Sequence, residues 1–216
     1  MQVNKYNSPI LKLAREHRYL AYFERGDCLV NLAGDYDYLE LPYYVSQDLE
    51  SEGKKVQPTC REMLDAYVPP VFLEKAKLSG LAVPEHYISN GYFEPPVIID
   101  PINPFMFRSR TVRKAGREES TAKSMTRNFK YAVCCQEIPA GAQIRYFRSV
   151  LGWCVSDRFQ EVSRAVWEVF HIPLARVRVM LLDSGDILLS DIAPLLFENL
   201  RKRELSFIER RVRWEE

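Results

Sequence analysis

The segment from residue 28 to residue 67 alternates short apolar runs with helix-like stretches, and this rhythm limits the possible folds more than any other feature. The runs 28–32 and 56–59 are typical of short buried strands. Between them, Pro42 suits the first turn of a helix that ends at Gly53. Because a strand, a helix and a second strand in this order form a βαβ unit, we predict that the two strands pair in parallel.

Helix and strand signals continue along the rest of the chain. Thr59-Cys-Arg-Glu62 is a capping box, which starts a helix that Pro69 ends. Other predicted elements are helices over 72–78, from Ser156 to Pro173 and from Pro194 to about 212, strands over 97–99, 131–136 and 143–150, and a hairpin over 174–192. We therefore predict a single α/β domain over residues 1–216, with a mostly parallel sheet, flanking helices, and a C-terminal β-hairpin and helix.

Residues 84–130 differ from their surroundings and are predicted to form a basic, proline-rich insertion. From Arg108 to Lys130 there are eight bases against two acids, and no clear apolar period is present. We expect mobility from about residue 109 to 126, because few apolar side chains are available to offset the entropy of ordering. The candidate partner-binding residues in this insertion are Arg108, Arg110, Arg113 and Arg117. An ordinary solvated face is the alternative.

Composition and missing motifs exclude several classes of protein. No apolar run approaches the length of a membrane span, and no signal peptide is present, so we predict a soluble cytoplasmic protein. The five cysteines contain no Cys-x-x-Cys, and the three histidines lack metal-ligand spacing, which predicts no metal site. Glycine-rich phosphate loops are missing, so no cofactor is predicted. The pair Cys134-Cys135 has no histidine base beside it, and the catalytic residues stay unknown.

Two features could still bind a ligand. The loop from residue 31 to 44 is rich in tyrosine and aspartate and follows the carboxyl end of a strand, where open α/β sheets bind ligands. Burial of the tyrosines beneath the loop is an equal alternative. Arg176 and Arg178 share one face of a predicted strand and need an acidic partner, either a ligand anion or the protein's own acidic stretch at 27–52. The candidate substrate-binding residues are Asn31, Asp35, Tyr36, Tyr38, Tyr43, Tyr44, Arg145 and Arg176.

Two blocks of this sequence resemble the N-terminal domain of RimK-like ATP-grasp proteins, known as the RLAN domain. The matching residues are Asn31-Leu32, Tyr36, Tyr38, Tyr43-Tyr44, Ser46, Glu50, Gly53 and Pro58, then Tyr146-Phe147, Phe170, Pro173-Leu174, Arg176 and Val177. The resemblance covers about 30–60 and 144–212. Pro42 and Arg148 stand where it implies glycine, and Arg178 stands where it implies an acid.

The resemblance implies a domain that usually precedes an ATP-grasp ligase, an enzyme that joins a carboxylate to an amine through an acyl phosphate. It implies a ligase as the partner and an amino-acid-like or peptide ligand. Because the sequence ends at Glu216, where the ligase would begin, we expect either a stand-alone member or a trimmed one. The basic insertion would then pair with the ligase or with the acidic 27–52 stretch.

Other fragments are similar to the ATP-grasp domain itself. These are 81–84, 136–145 and the end of the hairpin at 191–194. That fold implies a lysine for the nucleotide phosphates and an acid-x-Asn pair for Mg²⁺. Here Asp100 stands in the lysine place and Ala193 in the asparagine place, so the resemblance implies a degenerate site that has lost its ATP chemistry.

These observations favour an accessory or substrate-binding domain of a carboxylate–amine ligase system, without ATP chemistry of its own. One alternative is a degenerate ATP-grasp protein or stand-alone enzyme that acts on an amino-acid-like or peptide substrate through the 31–44 loop. A nucleic-acid binder ranks last, because the basic insertion has only Phe129 and Tyr131 as aromatic neighbours and stacking needs more.

Overall fold

The computed structural model describes residues 19–23, 26–103, 105–106 and 109–214. The chain divides into two compact units, each made from separate segments of the sequence. The first unit contains the described residues up to 64, then 147–176 and 193 onward. The second unit contains residues 65–146 and 177–192. Whether the chain acts as one domain with an insertion at 84–130 stays a prediction.

The strands of the described chain are numbered in sequence order. They are β1 (Leu20–Phe23), β2 (Leu29–Asn31), β3 (Val56–Gln57), β4 (His86–Ser89), β5 (Val97–Pro101), β6 (Arg110–Val112), β7 (Val133–Glu137), β8 (Gln143–Val150), β9 (Leu174–Leu181), β10 (Ile187–Pro194) and β11 (Val212–Trp214). The α-helices are α1 (Leu41–Ser51), α2 (Cys60–Tyr67), α3 (Pro69–Leu78), α4 (Glu118–Met125), α5 (Gln160–Phe170) and α6 (Lys202–Glu209). Two single-turn 3₁₀ helices span Asp157–Phe159 and Phe197–Asn199. No described helix is long and apolar enough to cross a membrane.

The first unit contains a four-stranded sheet in the order β11-β1-β2-β3. Strands β2 and β3 pair in parallel, with Leu29 opposite Val56, which confirms the parallel pairing predicted for the strand–helix–strand unit. The other two pairs of this sheet are antiparallel. Apolar side chains of β1, β2, β8, β9 and α6 form a buried core in this unit, which includes Ala21, Val30, Val150, Leu174 and Ile208.

The second unit contains a four-stranded sheet in the order β4-β7-β5-β6, and all three of its pairs are antiparallel. Helix α4 covers one face through Ala122 and Met125, which pack with Val97, Ile99 and Cys135. The opposite face carries Ile98, which packs with Met180 of β9. Both faces of the central strands are therefore buried.

A third sheet has the order β10-β9-β8, and the predicted hairpin joins two of its strands. The prediction of an α/β chain is confirmed, whereas the prediction of a mostly parallel sheet is wrong. The physical reason lies in strands such as β7, whose residues 133–136 are all buried. Continuous apolar runs are typical of parallel strands covered on both faces, but an antiparallel sheet covered on both faces produces the same pattern.

The basic insertion contains regular structure where the sequence analysis expects mobility. Strand β6 pairs with β5 through Val97 opposite Val112, and helix α4 follows it. The buried residues of α4, which are Thr121, Ala122 and Met125, fall on one helical face. Three small or flexible side chains on a short helix give too weak a periodic signal to stand out among the surrounding bases. The segment therefore contains a strand and a packed helix, and the predicted mobility over about 109–126 stays a prediction.

The C-terminal helix is shorter than predicted. It ends at Glu209 rather than near residue 212, because β11 then adds to the edge of the first sheet with Val212 opposite Phe23. The helix predicted to begin at Ser156 is preceded by a 3₁₀ turn, and the Ser156 side chain, although of a type that often caps helices, makes no capping hydrogen bond. The capping box at the start of α2 is confirmed, since Thr59 Oγ1 accepts from the Glu62 amide at 3.2 Å and Glu62 Oε2 accepts from the Thr59 amide at 2.8 Å.

The capping glutamate also makes the stability of the first unit depend on pH. Glu62 Oε1 lies 2.6 Å from His171 Nδ1. Burial alone would raise the pKa of Glu62, but its hydrogen bonds with His171 and Thr59 outweigh burial and lower that pKa. Because the folded pKa lies below the unfolded one, the carboxylate stabilises the fold at neutral pH and loses this contribution as the pH falls through the folded pKa.

We expect Glu62→Gln to lower the free energy of unfolding at pH 7 by about 1 kcal/mol, because a charged hydrogen bond becomes a neutral one. As the pH falls through the lowered folded pKa, the wild-type carboxylate becomes protonated, so the difference between the two proteins should shrink. Urea denaturation of both proteins from pH 7 to pH 3 measures this. A difference that stays constant over the whole range would contradict the assignment.

Candidate functional site

Polar side chains occupy one inner face of the second unit, on strands that are otherwise apolar. Because successive strand residues point to opposite faces, Asp100 of β5 lies on the same face as Ile98, and Gln136 of β7 lies on the face opposite to Cys135. Arg178 of β9 shares its face with Met180. Asp100, Gln136 and Arg178 are each at most 2% exposed. The strand pattern therefore places a carboxylate, an amide and a guanidinium inside the protein.

Arg178 and Asp100 form a bidentate ion pair. The guanidinium donates from Nη2 to Asp100 Oδ2 at 2.7 Å and from Nη1 to Asp100 Oδ1 at 3.0 Å. Two parallel hydrogen bonds between a planar guanidinium and a carboxylate are among the strongest polar contacts that a protein makes. This pair therefore fixes the position of β9 relative to β5.

Gln136 and Ser190 complete the hydrogen bonding around this ion pair. Gln136 Nε2 donates to Asp100 Oδ2 at 2.6 Å and to the Ser190 carbonyl at 2.9 Å. The Ser190 hydroxyl donates to Gln136 Oε1 at 2.8 Å and accepts from Arg178 Nε at 2.9 Å. Each side chain thus bonds to two others, and the four form a closed buried network, which we call the Asp100–Arg178 network.

The network is held together by charge as well as by hydrogen bonds. Asp191 Oδ2 lies 3.6 Å from Arg178 Nη1, and Ser109 Oγ accepts from the same nitrogen at 3.1 Å. Burial alone would lower the pKa of Arg178, but the carboxylates of Asp191 and Asp100 outweigh burial and raise that pKa above its ordinary value. Arg178 is therefore a permanent buried cation, compensated by acids of its own chain.

Such a closed network suits a structural role, which holds strands in position, better than a chemical one. All of the guanidinium's nitrogens already donate within the protein, and the Asp100 carboxylate already accepts three hydrogen bonds. Among the described residues no group of three or more potential ligands could hold a metal ion. A phosphate that entered here would have to displace the carboxylate from the guanidinium, and Asp100 would repel it.

The predicted ligand loop places two of its candidates inside the first unit. Asn31 and Tyr36 are completely buried. Asn31 Nδ2 donates to the Pro42 carbonyl at 2.8 Å, and the Tyr36 hydroxyl donates to the Asn31 carbonyl at 2.8 Å. Burial raises the pKa of Tyr36 well above its ordinary value. These two side chains hold the loop in place, and their polar atoms are engaged within the fold.

The other loop candidates lie closer to the surface. Tyr38 and Tyr44 are each 39% exposed, while Asp35 and Tyr43 are half-buried. Burial raises the pKa of Asp35, and Asp35 Oδ1 accepts a 3.3 Å hydrogen bond from the backbone two residues later. These four side chains lie between residues 35 and 44, along the loop before α1 and the first turn of that helix. Their role in binding a ligand stays a prediction.

A glycine fixes the path of this loop. Gly34 has φ +93°, and a Cβ at this position would lie 2.0 Å from the Leu195 carbonyl oxygen. The Gly34 carbonyl accepts from the Leu195 amide at 3.0 Å. The backbone of the loop therefore approaches the backbone after β10 so closely that only glycine fits.

The candidate arginines that the structure describes are all exposed. Arg145 is exposed and donates to Gln143 Oε1, and Arg176 is exposed on β9. Arg110, Arg113 and Arg117 are exposed as well, whereas Arg108 lies outside the described part of the chain. Binding through these side chains stays a prediction. Arg178 differs from Arg176: its acidic partners are Asp100 and Asp191, and neither belongs to the 27–52 stretch.

The cysteines are poorly suited to nucleophilic chemistry. Burial raises the pKa of Cys135 to about 11 and, with help from Glu50, raises the pKa of Cys60 to about 12. Burial also raises the pKa of Cys134, Cys28 and Cys154. Since the thiolate is the reactive form, these thiols are almost entirely protonated at neutral pH.

Asp100 and Arg178 stand out in the sequence as departures from a pattern, but nothing in the sequence pairs them. Gln136 and Ser190 were not predicted as site residues. The available signal was the presence of polar residues within strands that are largely apolar, such as Asp100 in β5 and Gln136 in β7. A buried polar side chain needs a partner, so isolated polar residues on such strands indicate one another.

Comparison with known proteins supports the fold. A family model described as the RimK-like ATP-grasp N-terminal domain matches residues 16–211. No curated protein sequence matches the chain. Among solved structures, the RimK domain ATP-grasp protein from Sphaerobacter thermophilus DSM 20745 has a TM-score of 0.60 at 16% identity and covers 85% of this chain and 76% of its own. The D-alanine–D-alanine ligase from Helicobacter pylori has a TM-score of 0.58 at 12% identity, covering 77% and 67%.

A third similar structure is the ATP-grasp ligase PsnB complexed with precursor peptide PsnA2 and AMPPNP. Its TM-score is 0.50 at 16% identity, and the alignment covers 77% of this chain and 60% of PsnB. The present chain thus spans less than two thirds of that ligase. At these identities the three structures share a fold with this chain, and its chemistry has to be argued from its own residues.

Proposed function

The chain belongs to the family of RimK-like ATP-grasp N-terminal domains, and we propose that it is an accessory, substrate-binding domain of a carboxylate–amine ligase system without ATP chemistry of its own. The observation that carries the proposal is the Asp100–Arg178 network. It lies within a fold shared with ATP-grasp proteins.

The network reverses the charges that ATP chemistry requires. The ATP-grasp resemblance implies a lysine at position 100 to bind phosphate, and here Asp100 provides a negative charge instead. The family resemblance implies an acid at position 178, and here Arg178 provides a positive charge. Because each reversed residue neutralises the other at 2.7 Å, the pair is stable inside the protein and offers no net attraction for a polyphosphate.

A magnesium ion would find no suitable ligands at this place. Mg²⁺ prefers oxygen ligands such as carboxylates, and a guanidinium provides none. Ala193 follows Asp191 at the position where the resemblance implies asparagine, and a methyl group cannot coordinate a cation. Asp191 is already 3.6 Å from the Arg178 guanidinium. The residues of this site therefore do not support phosphoryl transfer. In our proposal the chain acts by binding through other parts of its surface.

We assign substrate binding to residues that are exposed or half-buried. In this proposal Asp35, Tyr38, Tyr43 and Tyr44, with Arg145 and Arg176, contact an amino-acid-like or peptide substrate. Tyrosines suit this work because they provide large contact areas with a polar tip. Asn31 and Tyr36 support the loop from within. Arg110, Arg113 and Arg117 contact the acidic surface of the ligase. PsnB, which shares the fold, has a solved structure in complex with a precursor peptide.

The experiment mixes the purified chain with the ATP-grasp ligase of the same organism that lies nearest to it in the genome. We expect the chain alone to release no ADP from ATP, and we expect it to lower the ligase's KM for its peptide acceptor several-fold. Replacing Arg110, Arg113 and Arg117 with alanine should weaken association at least tenfold and reduce its salt dependence, because exposed charges act mainly through screened attraction.

The matched control replaces three other exposed bases, in Lys77→Gln, Arg158→Gln and Arg164→Gln, and changes the net charge by the same amount. This control variant should associate within about twofold of the wild type. If the chain changes neither the KM of the ligase nor its sedimentation, which reports association, the accessory role is contradicted. So would equal losses of association in the two triple variants.

A further inference from the structure

Helix α6 carries a cluster of cations on its exposed face, and this cluster lies beside a cavity. The cavity has a volume of about 290 Å³ and is lined by Lys202, Arg203, Ser206, Arg210 and Trp153. Ser206 follows Lys202 and Arg203 by four and three residues, and Arg210 follows Ser206 by four, so these residues share one side of the helix. We call this cavity the α6 pocket.

The acids near the pocket do not neutralise it. Glu204 is 1% exposed and faces inward, where its carboxylate accepts a hydrogen bond from Arg148 at 2.7 Å and one from the Arg201 amide at 2.7 Å. In the part of the chain that the structure describes, neither Glu209 nor any other carboxylate lies within ion-pair distance of Lys202, Arg203 or Arg210. The inward acid therefore anchors the helix and leaves three cations facing outward.

The aromatic wall of the pocket is held rigidly. Trp153 stacks on Phe207 of α6, with ring centroids 4.9 Å apart and an angle of 16° between the planes. A tight turn with positive φ at Leu151 and Gly152 presents this indole, and Trp153 exchanges two backbone hydrogen bonds with Val150 across the turn. A rigid apolar wall beside unpaired cations is suited to a ligand that combines anionic groups with some apolar surface.

We propose that the α6 pocket binds the carboxylate side chains of an acidic peptide segment of a partner protein. Two guanidiniums match carboxylates in two-pronged geometry, and the Ser206 hydroxyl adds a neutral donor. The volume is at the lower limit for small-molecule sites, which suits one or two side chains better than a nucleotide. Nucleic acid fits less well, because the one indole in the pocket already has one face covered by Phe207. This inference goes beyond the proposed function and holds whichever protein contributes the acidic segment.

The test measures the binding of a fluorescent peptide of four Asp-Ser repeats at low salt, with a peptide of four Asn-Ser repeats for comparison. We expect saturable binding of the acidic peptide and none of the neutral one. The triple variant Lys202→Gln, Arg203→Gln and Arg210→Gln should bind at least tenfold more weakly. The control variant described above, which removes the same charge elsewhere, should bind within twofold of the wild type.

Ser206→Asp provides a second test, because it places an acid among the three cations without removing any of them. It should also weaken binding at least tenfold, and circular dichroism should show unchanged helix content, since residue 206 is exposed. Equal binding by the pocket variant and the control variant would overturn the proposal. A single-stranded oligonucleotide that binds more tightly than the peptide through the same three cations would overturn it as well.

Discussion

Replacing Asp100 with alanine should lower the free energy of unfolding by about 3–5 kcal/mol, the largest effect that we expect from any single substitution in the chain. The substitution leaves the Arg178 guanidinium buried without its bidentate partner, and Asp191 at 3.6 Å cannot replace it. For a chain of this length, the expected fall in Tm is about 6–20 °C. Urea and thermal denaturation of the purified variant measure both quantities.

Removing both members of the pair should restore most of this loss. In Asp100→Leu with Arg178→Met, Gln136 and Ser190 still bond to each other, through Gln136 Nε2 to the Ser190 carbonyl and the Ser190 hydroxyl to Gln136 Oε1. No buried charge is then left without a partner, and apolar replacements of buried ion pairs are often neutral or stabilising. Asp191 is 22% exposed and can be solvated.

The control for this series is Asp191→Asn, which removes the longer and more exposed of the two acidic contacts. We expect it to change the free energy of unfolding by less than about 1 kcal/mol, as is usual for partly exposed pairs. A double variant as unstable as Asp100→Ala alone would contradict the expected recovery of stability. A loss in the double variant equal to the sum of the Asp100→Ala and Arg178→Met losses would show that the two side chains act separately, and the coupling that we infer from their geometry would then be wrong.

The sequence predicted the elements of the fold better than their arrangement. The parallel pair β2–β3 was predicted because a helix of the right length separates two short apolar runs, and that information is local. The antiparallel order β4-β7-β5-β6 was not predicted, because it pairs residues as far apart in the sequence as His86 and Gln136, and no local pattern specifies the direction of such strands. The prediction of a mostly parallel sheet failed for this reason.

The candidate site shows the same limit. Asp100 and Arg178 are each unusual in the sequence, but they are 78 residues apart, and only the folded structure brings them together. Tyr36 is a candidate ligand residue because its loop follows the carboxyl end of a strand, and the sequence alone does not show that its hydroxyl bonds to the Asn31 carbonyl. The sequence alone shows that Asp100 and Arg178 carry charges opposite to those that the resemblance implies. Only the structure shows that these two charges neutralise each other.

Titration of the purified chain with MgATP tests the central claim most directly. The claim is that this member of an ATP-grasp-related family keeps the fold but has exchanged its nucleotide chemistry for a buried ion pair. Calorimetry up to millimolar MgATP should detect no saturable binding, with any Kd weaker than about 100 μM, which corresponds to about 5.5 kcal/mol. An ATP-grasp ligase titrated under the same conditions serves as the positive control. Saturable, magnesium-dependent binding of ATP tighter than that limit would contradict the account.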